Sequence, residues 1–227
     1  MLNLLTRYGS RRSGGGVGGD VTSTDFSEYT TDAFPTGEWS LRLAATDRGD
    51  RVIAEDGATG GKVYRINRTT ATLRYVAATW SVKGATFSDV EVLAKIKPAT
   101  SGTRWGVALT LNSSNSNAYV GFMNGTTLRI ERTSGISSAS GLGSLGSQSW
   151  SAGEYYWVRF RREGDDLKLK WWAVSGSEPG SWALERSDAN LSEGEIGLSP
   201  GYVNALDQVS VCDWFGYVTD GSTVPLP

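Results

Sequence analysis

The chain has 227 residues, of which 39% are hydrophobic, and a formal net charge of −2. That length supports one substantial core with short tails, and the near-neutral charge gives no general electrostatic pull toward nucleic acid or an anionic membrane. With no histidine and one cysteine, Cys212, an intramolecular disulfide and a zinc ribbon are excluded, as are Ser-His-Asp and Cys-His nucleophilic systems and imidazole metal ligands.

Residues 1–19, MLNLLTRYGSRRSGGGVGG, differ from everything after them. Leu2, Leu4, Leu5 and Tyr8 read as apolar anchors, Arg7, Arg11 and Arg12 as their charged companions, and the glycine run as a flexible tether. The leucine cluster is too brief for a secretory signal. No window approaches the roughly 18 unbroken apolar residues of a membrane helix, so no membrane contact is expected. The segment is read as an extended arm docking on another subunit, with a frayed terminus as the plainer alternative. Three arginines are few for nucleic acid, and ion pairs to a partner protein explain them as well.

From residue 20 onward the pattern is β throughout. WSLRLAA (39–45), KVYRINR (62–68), LRYVAATW (73–80), VEVLAKIK (90–97), WGVALTL (105–111), AYVGFM (118–123) and TLRIERT (127–133) are short and rich in β-branched or aromatic residues. YYWVRFRR (155–162), LKLKWWA (167–173), GEIGLSP (194–200) and QVSVCDWFGYV (208–218) continue the series. Turn chemistry separates them, as in GATGG, NSSNSN, MNGTT and SGSEPGS. This spacing predicts an all-β fold, an antiparallel sandwich or barrel. The Gly/Ser segment 134–150 is too poor in apolar residues for a core strand and is expected to form a surface loop. Of the nine tryptophans, five, among them Trp39, Trp80 and Trp105, are read as core. Cys212, in an alternating strand, is read as a small apolar residue.

The densest stretch is residues 155–173. Period two puts Tyr156, Val158 and Phe160 on one strand face, and Tyr155, Trp157, Arg159 and Arg161 on the other. Leu167, Leu169, Trp171 and Ala173 share a face in the next strand, opposite Lys168, Lys170 and Trp172. REGDD between them is a hairpin turn. One side of this hairpin is core. The other is a cationic surface bordered by aromatics, which protects against edge pairing and is also a candidate platform for sugar rings, carboxylates or phosphates.

DFSEYTTDAFPTGEWS, DVEVLAKIKP, AYVGFMNGTTLRIERTSG, the long run from Trp150 to Pro200 and LDQVSVCDWFGYV together resemble the concanavalin A-like, laminin G-like jelly roll over residues 25–218. The most specific part is the series Trp157, Arg159, Arg161, Asp165, Leu167, Trp171, Pro179, Trp182, Gly194 and Gly197. The resemblance implies a two-sheet antiparallel jelly-roll sandwich over residues 20–220, between the arm and a C-terminal tail at 221–227. It implies little about activity, because the fold hosts lectins, glycosidases, adhesion domains and virion proteins. Glycosidases of this fold carry two carboxylates with a third nearby on one strand. Asp89 with Glu91, and Glu193 with Glu195, have strand-face spacing but no third carboxylate. An enzyme is therefore not expected, and alanine at Glu91 or Glu195 tests that. Relatives that hold calcium single out Asp25 and Asp207, near the first and last strands, as its weak candidate ligands. No other cofactor is expected.

The function read from these features is a non-enzymatic structural protein of a phage virion, in its tail tip, fibre or capsid decoration. It would be anchored to other virion proteins through residues 1–19, exposed on the particle surface, and homo-oligomeric or part of a large assembly. Its lectin-like domain would meet host-surface carbohydrate through Tyr155, Trp157, Arg159, Arg161, Lys168, Lys170 and Trp172. A free carbohydrate-binding module is the alternative, and deleting residues 1–19 separates the two.

Overall fold

The computed structural model describes residues 21–41, 50–67, 78–80, 85–100, 103–112, 114–115, 117–135, 138–199 and 209–227. Among them are fifteen strands: β1 (Thr22–Thr24), β2 (Trp39–Leu41), β3 (Arg51–Ala54), β4 (Lys62–Asn67), β5 (Ala78–Trp80), β6 (Val90–Pro98), β7 (Trp105–Leu111), β8 (Tyr119–Asn124), β9 (Thr127–Ser134), β10 (Ser138–Leu145), β11 (Tyr156–Glu163), β12 (Asp166–Ala173), β13 (Leu184–Ser187), β14 (Glu195–Ser199) and β15 (Val209–Val218). Among the described residues no helix is long and apolar enough to cross a membrane. The arm residues Leu2, Leu4, Leu5, Arg7, Tyr8, Arg11 and Arg12 lie outside the described residues.

The strands form two antiparallel sheets. The first has the order β13-β12-β11-β6-β15-β4-β3, and the second β10-β9-β8-β7-β14-β5-β2. In the first sheet β15 is paired along one side by β6 and on the other by β4, then by β1. The hairpins follow from turn chemistry. Glu163 pairs Asp166 across Gly164-Asp165, and Asn124 pairs Thr127 across Gly125-Thr126. In each, the glycine takes the left-handed φ, +58° and +55°, that the first position of a two-residue hairpin loop requires.

The core lies between the inward faces. Tyr156, Val158, Phe160, Leu167 and Leu169 meet Trp105, Val107, Leu109, Leu128 and Ile130 there, all buried. Trp39 and Trp105 are core, as expected, and the inward half of the 155–173 hairpin is as the alternation predicts. Gly121, on β8, lets the sheets approach, since a Cβ there would sit 2.9 Å from Leu169 and 3.0 Å from Phe160. Cys212 is buried in the same core, and burial pushes its thiol pKa well above the ordinary value.

Four strands, β1, β3, β10 and β13, have no counterpart among the segments read from sequence. Three of them are sheet edges and β1 flanks β15. Residues 138–145 correct the loop expectation for 134–150: they pair with β9 along Ser138–Leu145, with a bulge between Gly141 and Gly143. An edge strand with exposed side chains needs backbone partners on one side only, so it forms without the apolar residues that mark a core strand. A second bulge interrupts β15 against β6. Cys212 pairs Ile96 and Trp214 pairs Lys95, which leaves Asp213 as the additional residue.

Candidate functional site

The outer face of the first sheet gathers the side chains that the alternation assigned to it. Trp157 pairs Trp172, Arg159 pairs Lys170, and Arg161 pairs Lys168 across β11 and β12. On the other side of β11, Arg159 neighbours Leu93 and Arg161 neighbours Glu91 on β6. The seven residues expected to contact glycan, Tyr155, Trp157, Arg159, Arg161, Lys168, Lys170 and Trp172, thus surround one hairpin.

The face is covered, however, rather than open. Trp157 and Trp172 are each 6% exposed, Arg159 1% and Lys170 8%, while Tyr155, Arg161 and Lys168 are half-buried. Glu91, itself 2% exposed, accepts from Arg159, from Arg161 Nε at 2.6 Å and from the Val224 amide at 2.9 Å. Arg161 also donates to the Ser222 carbonyl and the Thr223 hydroxyl. Glu178 binds Arg159 Nε at 2.8 Å and Lys170 at 2.7 Å, and Trp182 lies over Lys170 with its ring centroid 4.8 Å from Nζ. Tyr155 donates to Glu55, which also binds Lys97; burial and the Glu55 carboxylate raise the phenol's pKa. Lys168 stands 3.7 Å from Glu185. The alternation placed these cations on the correct side, but the 174–183 loop and the C-terminal tail return over that side and supply carboxylates and carbonyls. Val224 completes an apolar cluster with Leu93, Trp157, Trp172, Trp214 and Val218.

Where the tail leaves this cluster, a cleft of about 480 Å³ opens at the flank of the same face. One wall is apolar: Trp214, Pro225, Leu226 and Pro227. The other is polar: Ser23, Asp25, Ser27, Glu28 and Thr59. Two glycines let its lining side chains pack close to the backbone. A Cβ at Gly216 would lie 2.3 Å from Trp214 Cη2, and one at Gly60 would lie 2.7 Å from the Asp25 carboxyl carbon. Trp214 therefore lies over a bare stretch of backbone, fixed further by the Trp157 ring at 5.9 Å and 76°.

The polar wall is built by a turn after β1. Thr24 Oγ1 accepts from the Phe26 amide and donates to Glu28 Oε1 at 2.5 Å, and Asp25 Oδ1 accepts from the Ser27 amide and hydroxyl. Phe26, at φ +60°, turns into the core against Tyr64 and Trp39. That left-handed conformation costs about 1–2 kcal/mol in a residue with a Cβ, and burial of the ring offsets it. Lys62 ties the turn down through the Ser27 and Tyr29 carbonyls. Beside this turn, Thr59 donates its amide and hydroxyl to Asp213, whose charge Lys95 neutralises at 2.5 Å.

No family model and no curated protein matches the chain. Solved structures do. The carbohydrate-binding module CBM66 from Bacillus subtilis superposes with a TM-score of 0.56 at 14% identity, over 77% of this chain and 91% of that one. A GlcNAcα1-4Gal-releasing endo-β-galactosidase from Clostridium perfringens gives 0.55 at 13%, over 89% of this chain and 63% of that one. A Bacteroides ovatus mixed-linkage-glucan GH16 protein, solved with product, gives 0.52 at 11%, over 86% and 99%. The fold is a concanavalin A-like jelly roll. Identities this low carry the fold and not the activity.

In this concanavalin A-like domain the two carboxylate pairs are placed unequally. Glu91 is the buried centre of the arginine network, whereas Asp89 is exposed and accepts from the Gly164 amide. Glu195 is buried on β14, while Glu193 is exposed and accepts from the Thr86 hydroxyl. Of the calcium candidates, Asp207 lies outside the described residues, and Asp25 is a cleft residue engaged by Ser27. Among the described residues no three acidic, histidine or cysteine side chains are grouped as metal ligands. Sequence reasoning missed the cleft because its walls come from residues 21–28, 59, 214 and 225–227. The readable signal was the Trp214-x-Gly216 spacing, which puts a ring and a missing side chain on one strand face.

Proposed function

We propose that the chain is a non-catalytic, lectin-like domain that holds glycan in the cleft between Trp214, the 23–28 turn and the C-terminal tail. What carries this reading is the mixed lining of the cleft: the exposed Pro225, Leu226 and Pro227 beside the edge of the buried Trp214 indole, together with hydroxyls and carboxylates. A sugar ring has the same division, with an apolar C–H face that packs on apolar side chains and an equatorial edge of hydroxyls that donate to carboxylates. The volume falls in the range of small-molecule sites. The unequal carboxylate pairs support a binding rather than a hydrolytic role, since glycoside hydrolysis calls for two carboxyl groups flanking one bond. The likeness to CBM66 supports the same reading.

The setting we propose is a phage particle, with residues 1–19 as the docking arm; this rests on their leucines, Tyr8, arginines and glycine tether. A glycan array followed by calorimetry tests the binding. The full chain is expected to bind, and Ser23→Trp, which fills the cleft from the outer face of β1, is expected to abolish binding at unchanged melting temperature. Binding to no glycan, or equal binding by the variant, overturns the reading. Removing residues 1–19 is expected to leave glycan binding intact and abolish incorporation into the particle.

A further inference from the structure

The lining of the cleft is electrostatically one-sided. Asp25 and Glu28 stand three residues apart on the polar wall, and among the described residues no lysine or arginine lines the space. Three cations of the described residues on neighbouring elements are committed elsewhere: Lys62 to the Ser27 and Tyr29 carbonyls, Lys95 to Asp213, and Arg161 to Glu91 and the tail. Each cleft carboxylate also has an oxygen left for a ligand. The hydrogen bonds to Asp25 from Ser27 both fall on Oδ1, and the one to Glu28 from Thr24 falls on Oε1. Asp25 Oδ2 and Glu28 Oε2 are thus acceptors in a lining whose other polar side chains are hydroxyls and whose exposed apolar members are Pro225, Leu226 and Pro227.

We infer that the cleft selects by charge: it takes amine-bearing sugars in preference to their neutral counterparts and rejects acidic ones. This rests on the glycan reading above and gives it a ligand class. A protonated 2-amino group donates charge-assisted hydrogen bonds to carboxylates while the C–H face of the ring lies on the exposed Pro225, Leu226 and Pro227. A uronate or sulfated sugar instead meets two like charges, with no cation among the described lining residues to compensate. The cationic hairpin face, read from sequence as a site for carboxylates or phosphates, does not provide that compensation, because Glu91, Glu178, Glu55 and the tail engage its charges.

The test compares three oligosaccharides of equal length by calorimetry on the full chain: a glucosamine trimer, its N-acetylated form and a glucuronate trimer. The free amine is expected to bind on the order of threefold to tenfold tighter than the N-acetyl form, the effect of one or two half-exposed ion pairs. The uronate is expected not to bind. The gap should close as salt rises toward about 1 M, where the screening length is about 3 Å. Asp25→Asn with Glu28→Gln should bring the amine and N-acetyl trimers to equal affinity, whatever the two substitutions cost both sugars in lost acceptors, and an unchanged melting temperature checks that the fold is kept. Equal affinity for all three sugars, tighter uronate binding, or an undiminished preference in the double variant overturns the inference and leaves the glycan reading standing. Binding of none of the three, with none on the wider array, overturns both.

Discussion

Glu91→Gln is the sharpest probe of how the outer face holds together. The substitution keeps the shape of the side chain but replaces an anionic acceptor with an amide, and turns donors toward donors. Arg159 and Glu91 are each 1% exposed at the side chain and Arg161 is 17% exposed, so little water is present to compensate. Removing one member of a buried pair costs about 3–5 kcal/mol. The low end applies, because Arg159 keeps Glu178 and Arg161 keeps the Ser222 carbonyl and Thr223 hydroxyl. At about 2–4 °C per kcal/mol for a chain of this size, 3 kcal/mol lowers Tm by about 6–12 °C. Urea unfolding should show the midpoint falling at constant slope, the mark of a change in stability alone. Glu178→Gln is the internal comparison: at 26% side-chain exposure it should cost about 1 kcal/mol, near the upper limit for a solvated pair. A loss below about 1 kcal/mol for Glu91→Gln, or equal losses for the two variants, refutes the claim that the network is dry and centred on Glu91.

Gly216→Ala should force the Trp214 ring to lift, at about 1–3 kcal/mol for overpacking, and weaken glycan binding; Gly141→Ala, with open space at its Cβ, should change neither. Cys212 should resist a thiol reagent in the native protein and react fully after unfolding, as its burial and raised pKa require. Asp188 is held near pKa 2 against an ordinary 3.8: burial opposes the charge, but hydrogen bonds from Tyr119, Asn190 and Arg132 outweigh it. Because the folded pKa is the lower one, its contribution is present above pH 3.8 and is lost as pH falls through about 2. Asp188→Asn should therefore flatten the acid limb of stability against pH by about 1–2 kcal/mol, allowing for solvent at its rim.

What could be read from sequence divides along a physical line. Strands such as β6, β7, β11 and β15, buried on at least one face, carry dense β-branched and aromatic patterns, and the hairpin turns carry glycine where a left-handed φ is needed. Edges such as β10 and β13 are held by backbone pairing, which leaves little imprint on side-chain choice. The hairpin face shows the second limit. Period two sorts Arg159 from Phe160 correctly, but it cannot tell whether a later segment covers the polar side; Glu178 and Val224 reach it from 19 and 65 positions further along the chain. The cleft was least readable, since Asp25, Thr59 and Trp214 meet only through the pairing of β1 with β15 and the Thr59–Asp213 contact.

The bulge at Asp213 bears on how such a chain can change over evolutionary time. Because the additional residue falls between Cys212 and Trp214, the inward positions of Cys212, Phe215 and Tyr217 and the outward positions of Trp214 and Gly216 are those a regular strand lacking residue 213 would have. A single-codon deletion there leaves the core in phase and removes only the carboxylate that fastens Thr59 and Lys95. Insertions and deletions are ordinarily confined to loops; here the additional residue sits inside β15, the longest strand among the described residues. A chain without residue 213 would keep the sandwich in phase and lose only the anchor of Thr59 beside the cleft.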